Sequence, residues 1–131
     1  MIRLIVTDMD GCLLDPGGKL PPDFPEAFAL MDEKQVLFAA ASGRSADGLR
    51  IPFGSRADRM ALITDNGARI FHNGNLLAEE VLETSDYLPL IKEFHSHSGL
   101  IPIACGRENI WIEDPDAITE KASREMLKYY P

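Results

Sequence analysis

Ile2-Arg3-Leu4-Ile5-Val6-Thr7-Asp8-Met9-Asp10-Gly11-Cys12-Leu13-Leu14-Asp15 is the stretch that decides the fold. Its first part, Ile2 to Thr7, is short and nearly continuously apolar, the pattern of a strand covered on both faces in a parallel sheet. It runs directly into Asp8-Met9-Asp10-Gly11. Two carboxylates so spaced at a strand end face one polar pocket if the chain turns, and Gly11 supplies the turn. A bare Asp-x-Asp also serves as an acidic loop that merely caps the next element, so the surroundings have to decide.

Outward from this stretch the pattern repeats. After the breakers Pro16-Gly17-Gly18 and Pro21-Pro22, Phe24, Ala27, Phe28 and Met31 recur at helical spacing, with Pro22 and Pro25 confined to the first turn. This predicts an amphipathic crossover helix. Val36 to Ala41 is a second buried strand ending at Ser42-Gly43-Arg44, with Ser45 placed to cap a short helix before Pro52. Met60 to Thr64 is a third, ending at Asp65-Asn66-Gly67. Strand and helix alternating in this way predict an α/β fold with a parallel sheet and right-handed crossovers. All three polar clusters then fall at carboxyl ends of strands, the edge where open α/β sheets bind ligands.

Beyond Gly67 the rhythm changes. Ala68 to Phe71 and Leu76 to Ala78 flank Asn73-Gly74, which marks a two-residue hairpin. Thr84 and Ser85 are placed to cap a helix with Tyr87, Leu88, Ile91 and Phe94 on one face. Leu100 to Ala104 and Asn109 to Ile112 then read as antiparallel strands around Gly106, and Asp116 to Tyr130 as a last helix. The expected division is residues 1–82 and a second α+β unit over residues 83–131. His95 and His97, two positions apart, point to different sides of a helix and cannot chelate one metal together. Trp111, alternating with Ile110 and Ile112, reads as packing on a half-covered strand or as a ligand-facing aromatic.

Composition narrows the function classes. The 131 residues, 45% apolar and 26% charged, are of ordinary globular character, and such a length buries roughly 65–70% of its unfolded surface without needing staples. A net charge of −8 argues against nucleic acid or an anionic membrane as partner. Cys12 and Cys105 lack metal-ligand spacing, so a reducing, cytoplasmic setting is expected. No apolar run approaches the roughly 20 residues that span a bilayer, and no leader is expected.

With these residues in place, the sequence resembles the haloacid dehalogenase (HAD) superfamily. Asp8-Met9-Asp10-Gly11 is similar to the family's first motif, Ala41-Ser42-Gly43-Arg44 to its second, and Thr64-Asp65-Asn66-Gly67-Ala68 to the Asn-Gly-Ala segment of Cof-type phosphatases. The resemblance implies a Rossmann-like core over residues 1–82 and the beginning of an α+β cap over residues 83–131. It also implies a phosphatase of small organic phosphate monoesters. Asp8 would be the nucleophile forming an aspartyl-phosphate, and Asp10 the general acid and then base. Mg2+ would be held by the Asp8 carboxylate and the Asp10 backbone carbonyl. Ser42, Gly43 and Arg44 would bind the substrate phosphate, although Arg44 equally well ties its helix to a carboxylate. Asn66 and Gly67 would shape the pocket floor. Cys12 stands where the family usually has Thr, which removes one hydroxyl near the nucleophile loop.

Two family features are not found in this sequence. Lys121 and Lys128 fall in the cap helix, no Gly-Asp dipeptide occurs, and Asp114-Pro115-Asp116 lacks a strand before it. The expectation is an N-terminal portion of a longer phosphatase, nearly inactive by itself. A receiver-like phosphoacceptor module, with Asp65 as its acceptor, is the alternative; a binding subunit made from a half-enzyme is a third reading. The expected partner is a small phosphorylated metabolite, with the oligomeric state open.

Overall fold

Seven strands and three α-helices are formed by the described residues of the computed structural model, which are 1–97, 100–107, 109–112, 119, 120, 122, 124 and 126. In chain order they are β1 (Leu4–Asp8), α1 (Phe24–Glu33), β2 (Leu37–Ala41), α2 (Ala46–Arg50), β3 (Ala61–Thr64), β4 (Arg69–His72), β5 (Asn75–Glu79), α3 (Thr84–His95), β6 (Ile103–Cys105) and β7 (Ile110–Ile112). Single 3-10 turns lie at Gly54–Arg59 and Asp65–Gly67. The chain divides into two compact units, Met1–Glu79 and Glu80–Pro131.

The first unit is a five-stranded sheet in the order β1-β2-β3-β4-β5. β1, β2 and β3 run parallel, whereas β4 and β5 are antiparallel, so the sheet is the mixed, mainly parallel one of an α/β fold. The direction first reverses at the Asp65–Gly67 turn between β3 and β4, and again where Asn73-Gly74 joins β4 to β5 in a hairpin with φ of 52° and 75°, the two left-handed positions that such a turn demands.

α1 covers the sheet with a narrow face. Phe24 and Phe28 are buried and Met31 is half-buried, while Ala27 is exposed, contrary to its place in the expected apolar stripe. The rings of Phe24, Phe28, Phe38 and Phe53 meet at centroid separations of 5.4 to 6.1 Å, mostly edge-on or tilted. Met9, Leu14, Leu49, Met60 and Leu62 complete this core. The helix ends in a left-handed cap without glycine. Gln35 has φ 55°, its N–H donates to Asp32 O, and the Val36 N–H donates to Met31 O.

β1 departs from expectation. Its composition calls for cover on both faces, yet Leu4, Ile5 and Val6 are 51%, 39% and 50% exposed. The physical reason is topological: β1 has β2 on one side and no strand on the other among the described residues. The strand limits also shift by one or two residues from the apolar runs. β1 begins at Leu4 rather than Ile2, β2 at Leu37 rather than Val36 and β3 at Ala61 rather than Met60, because ladder pairing sets the ends.

In the second unit, Glu83 is the residue before α3 and no side chain caps it, so the cap expected from Thr84 or Ser85 is not formed. Thr84 is already helical, and the Ser85 hydroxyl faces the Asp86 carboxylate at 3.4 Å. β6 and β7 pair antiparallel, with Ala104 opposite Trp111, and the Gly106 N–H closes their turn on Asn109 O at 2.8 Å. Trp111 is 68% exposed, between half-buried Ile110 and Ile112. His97 lies at the exposed end of α3, its Nδ1 3.0 Å from Glu93 O. Of the expected last helix, Asp116 to Tyr130, the described residues Glu120, Ala122, Arg124 and Met126 are helical, and the rest lies outside the described residues apart from Thr119, which is not helical. Asp114-Pro115-Asp116, Lys121 and Lys128 also lie outside them.

Candidate active site

Sheet register brings the three polar clusters to one edge. Asp8 is paired with Ala41 across β1 and β2, and Ala41 with Ile63 across β2 and β3. The residues that follow, Ser42 and Asp65, therefore leave the sheet beside Asp8. Between the two carboxylates of the first motif, Met9 turns inward and is fully buried. Asp8 and Asp10 remain exposed. Gly11, at φ 79°, reverses the chain so that the Leu13 N–H reaches Asp8 O at 3.3 Å and the Leu14 N–H reaches Met9 O at 2.9 Å. With Leu14 buried, both ends of this loop are anchored in the core.

Arg44 grips Asp10 with two parallel hydrogen bonds. Its Nε donates to Oδ2 at 3.0 Å and its Nη2 to Oδ1 at 2.6 Å. The Arg44 side chain is only 10% exposed, against 41% for Asp10, so the buried cation orients the more open anion. Bidentate pairing of this kind fixes the carboxylate plane as well as its position. Of the two roles left open for Arg44, the tie to a carboxylate is the one formed here. The Arg44 N–H donates to Ser42 Oγ at 3.2 Å, which leaves that hydroxyl its own proton to donate outward. Ser45 caps α2 as its position predicts, accepting from the Gly48 N–H at 3.2 Å.

The loops after β2 and β3 are joined backbone to backbone. The Ser42 N–H donates to Ile63 O, the Asn66 N–H to Ser42 O and the Asp65 N–H to Arg44 O, at 2.9, 3.1 and 3.0 Å. Asp65, Asn66 and Gly67 are successively left-handed, with φ of 53°, 57° and 96°. That turn sets the Asn66 side chain against Gly43, where a Cβ would stand 2.9 Å from Asn66 Oδ1 and 3.2 Å from Nδ2. Gly43 thus leaves room for the Asn66 amide. Because that amide is the end of an exposed side chain, Gly43→Ala is expected to displace it at a cost of less than about 1 kcal/mol, measured by urea denaturation.

Asp65 and Arg69 form a pair that the sequence reading did not single out. Asp65 Oδ2 accepts from Arg69 Nε and Nη2, both at 3.0 Å, and from Thr64 Oγ1 at 2.7 Å. Its side chain is 8% exposed. The only signal in the sequence was an acid and a base four positions apart, and no helix was expected there to bring them together. As a free phosphoacceptor, Asp65 is poorly placed.

The structure thus links Asp10, Ser42, Gly43, Arg44 and Asn66 in one chain of contacts, with Gly67 in the same turn. Asp8 joins them by register, its carboxylate meeting no hydrogen-bond donor among the described residues. Among those residues no three His, Cys, Asp or Glu converge, and Cys12 and Cys105 are both exposed. An exposed carboxylate without a partner is a hard oxygen donor, and Mg2+ is commonly held by one or two carboxylates together with waters and substrate phosphate. The exposed Asp8 carboxylate fits Mg2+ as one such donor.

Comparison with known proteins places this geometry. The family model of haloacid dehalogenase-like hydrolases matches residues 5–130. The chain belongs to this family. Among solved structures, SMU.1108c from Streptococcus mutans superposes on the whole of this haloacid dehalogenase-like chain with a TM-score of 0.87 at 22% identity. A haloacid dehalogenase-like hydrolase from Bacteroides thetaiotaomicron does so over 98% of the chain, with a TM-score of 0.76 at 21% identity. A HAD subclass IIB sugar phosphatase matches over 97%, with a TM-score of 0.76 at 20% identity. The chain covers 49%, 49% and 48% of these structures, about half their length. A protein of Buchnera aphidicola named "Putative phosphatase" is 31% identical over 80 residues, which are 61% of this chain and 29% of that protein. No helix among the described residues is long and apolar enough to cross a membrane.

Proposed function

We propose that this chain supplies the nucleophile side of a magnesium-dependent phosphatase acting on small organic phosphate monoesters. The observation that carries the reading is the pairing of roles at one sheet edge. Asp8 presents a carboxylate with no donor on it among the described residues, and Asp10 presents one held by Arg44 Nε and Nη2 at 3.0 and 2.6 Å. Two carboxyl groups in different surroundings are what a nucleophile and a separate proton carrier require.

In this mechanism an Asp8 oxygen attacks phosphorus and forms an O–P bond as the P–O bond to the leaving group breaks. Asp10 gives its proton to the leaving oxygen. It then takes a proton from a water that attacks the aspartyl-phosphate, releasing inorganic phosphate and restoring Asp8. Arg44 takes one lone pair of each Asp10 oxygen, so the proton that Asp10 gives and later takes sits on a lone pair turned away from the guanidinium, and Arg44 keeps that group oriented. The Ser42 hydroxyl and neighbouring backbone N–H groups hold the phosphoryl oxygens. Bound Mg2+ would lessen the repulsion between the Asp8 carboxylate and an anionic ester. The same reading makes a phosphorylated metabolite the partner rather than nucleic acid, in keeping with the net charge of −8, and makes the cytoplasm the setting.

The test is magnesium-dependent hydrolysis of p-nitrophenyl phosphate by the protein that carries this chain, with and without Arg44. Arg44→Met is expected to lower kcat about 10²-fold through a misplaced Asp10, with little change in KM. Arg44→Lys should not restore it, since an ammonium cannot make the two-pronged contact. An unchanged kcat in both variants would overturn the assignment of Arg44. The 131-residue chain alone is expected to turn over little, since each missing electrostatic group typically costs about 10²–10³ in rate.

A further inference from the structure

We infer that the buried Asp65–Arg69 ion pair is a positioning device that sets the Ser42-Gly43-Arg44 loop by way of Asn66. That this loop holds a phosphoryl group rests on the function proposed above; the mechanical coupling does not.

Asp65 and Asn66 both hold left-handed backbone, at φ 53° and 57°. Asp and Asn enter this region more readily than other residues with side chains, though still at a cost, so two in succession call for support from their surroundings. That support comes from both strands flanking the turn. Thr64 is the last residue of β3 and Arg69 the first of β4, and the two are opposite each other in the ladder. Each sends its donors to the same oxygen, Asp65 Oδ2. Thr64 is fully buried, and the Arg69 side chain is 11% exposed.

The other oxygen, Asp65 Oδ1, is buried and has no hydrogen-bond partner among the described residues. The carboxylate is therefore not a solvated surface charge. It is a single-point anchor that closes β3 onto β4 across the turn. From the anchored turn, three connections reach the neighbouring loop: the Asp65 N–H to Arg44 O, the Asn66 N–H to Ser42 O, and the Asn66 amide packed where a Gly43 Cβ would be. Arg44 in turn holds Asp10. Asp65 and Arg69 reach the groups assigned to chemistry by this route, so they are positioning residues.

The experiment is a double-mutant cycle read at Arg44, whose amide donates to Ser42 Oγ. Amide hydrogen exchange of Ser42 and Arg44 is followed by NMR in the 131-residue chain, and affinity for inorganic phosphate in the presence of Mg2+ is measured by calorimetry in the protein that carries this chain. Asp65→Ala and Asn66→Ala are each expected to speed Arg44 exchange about tenfold. The double variant should be no faster than Asn66→Ala alone, because contacting residues on one path do not add. Asp65→Ala leaves a buried guanidinium without its carboxylate, so the pair Asp65→Ala with Arg69→Met is measured beside it and should give the same acceleration in a stably folded chain. Additive effects in the cycle, or an Arg44 amide indifferent to loss of the ion pair, would overturn the inference. Phosphate affinity separates the two claims. A coupled Arg44 response with no phosphate binding by the unaltered protein that carries this chain retains the positioning role and removes the phosphatase reading.

Discussion

Asp8→Asn is expected to abolish phosphatase turnover in the protein that carries this chain, with a fall in kcat on the order of 10⁶, the scale of deleting a covalent nucleophile. Phosphate monoesters are among the slowest substrates to hydrolyse unaided, so accelerations up to about 10²¹ are asked of the enzymes that cleave them. Splitting the displacement into two steps through a carboxylate is a large part of that, and an amide oxygen is too weak a nucleophile to substitute. The change is otherwise gentle. Asp8 is exposed and its carboxylate has no hydrogen-bond donor among the described residues, so the isosteric amide removes no internal contact. Stability should stay within about 0.5 kcal/mol of the parent. Acid quenching during turnover with ³²P-labelled substrate should trap label on Asp8 in the parent and none in the variant. Retained turnover without trapped label would mean that water attacks the ester directly, and Asp8 would then be reduced to a metal ligand.

Much of this site could be read from the chain because its physics is local. Each of three apolar runs stops at a polar cluster, and parallel pairing places such stops at the same edge whatever the details of register. The Asn73-Gly74 hairpin was legible for the same reason: both positions take positive φ, as Asn-Gly pairs do at little cost. What was not legible depends on partners distant in sequence or on conformations that composition disfavours. Arg44 finds Asp10 across 34 residues, and nothing in Ser-Gly-Arg favours that carboxylate over a phosphate. Asp65 and Arg69 meet because two non-glycine residues turn left-handed, against the ordinary preference. Ile2 to Thr7 states how apolar β1 is but not whether a neighbour lies on both sides of it, and here Leu4 and Val6 remain about half exposed. The missing cap on α3 is a different case: Thr84 is a good capping residue, yet it is itself the first, exposed residue of the helix, with Glu83 before it.

The largest loss of stability is expected from Phe28→Ala. Phe28 is 2% exposed, its ring lies 5.8 Å from Phe24 and 6.1 Å from Phe38, and the Arg59 guanidinium sits 5.3 Å from its centroid on the other side. Removing the ring leaves a cavity enclosed by neighbours that are themselves fixed in the sheet, so the site cannot collapse, and about 3–5 kcal/mol should be lost. Against a total of about 5–15 kcal/mol for a domain this is a large fraction. At roughly 4–8 °C per kcal/mol for a unit of this size, the thermal midpoint should fall by more than about 10 °C. Leu30→Ala is the control on the same helix, since Leu30 is 50% exposed and its truncation should cost less than about 1 kcal/mol. Equal losses in the two variants would mean that the aromatic cluster does not fasten α1 to the sheet. The comparison reaches the site as well, because α1 is the crossover between β1 and β2, whose register sets Asp8 opposite Ala41. Phe28 is not itself one of the site residues, so the Phe28→Ala protein should keep its magnesium-dependent phosphate affinity below its midpoint and lose it together with the fold above it.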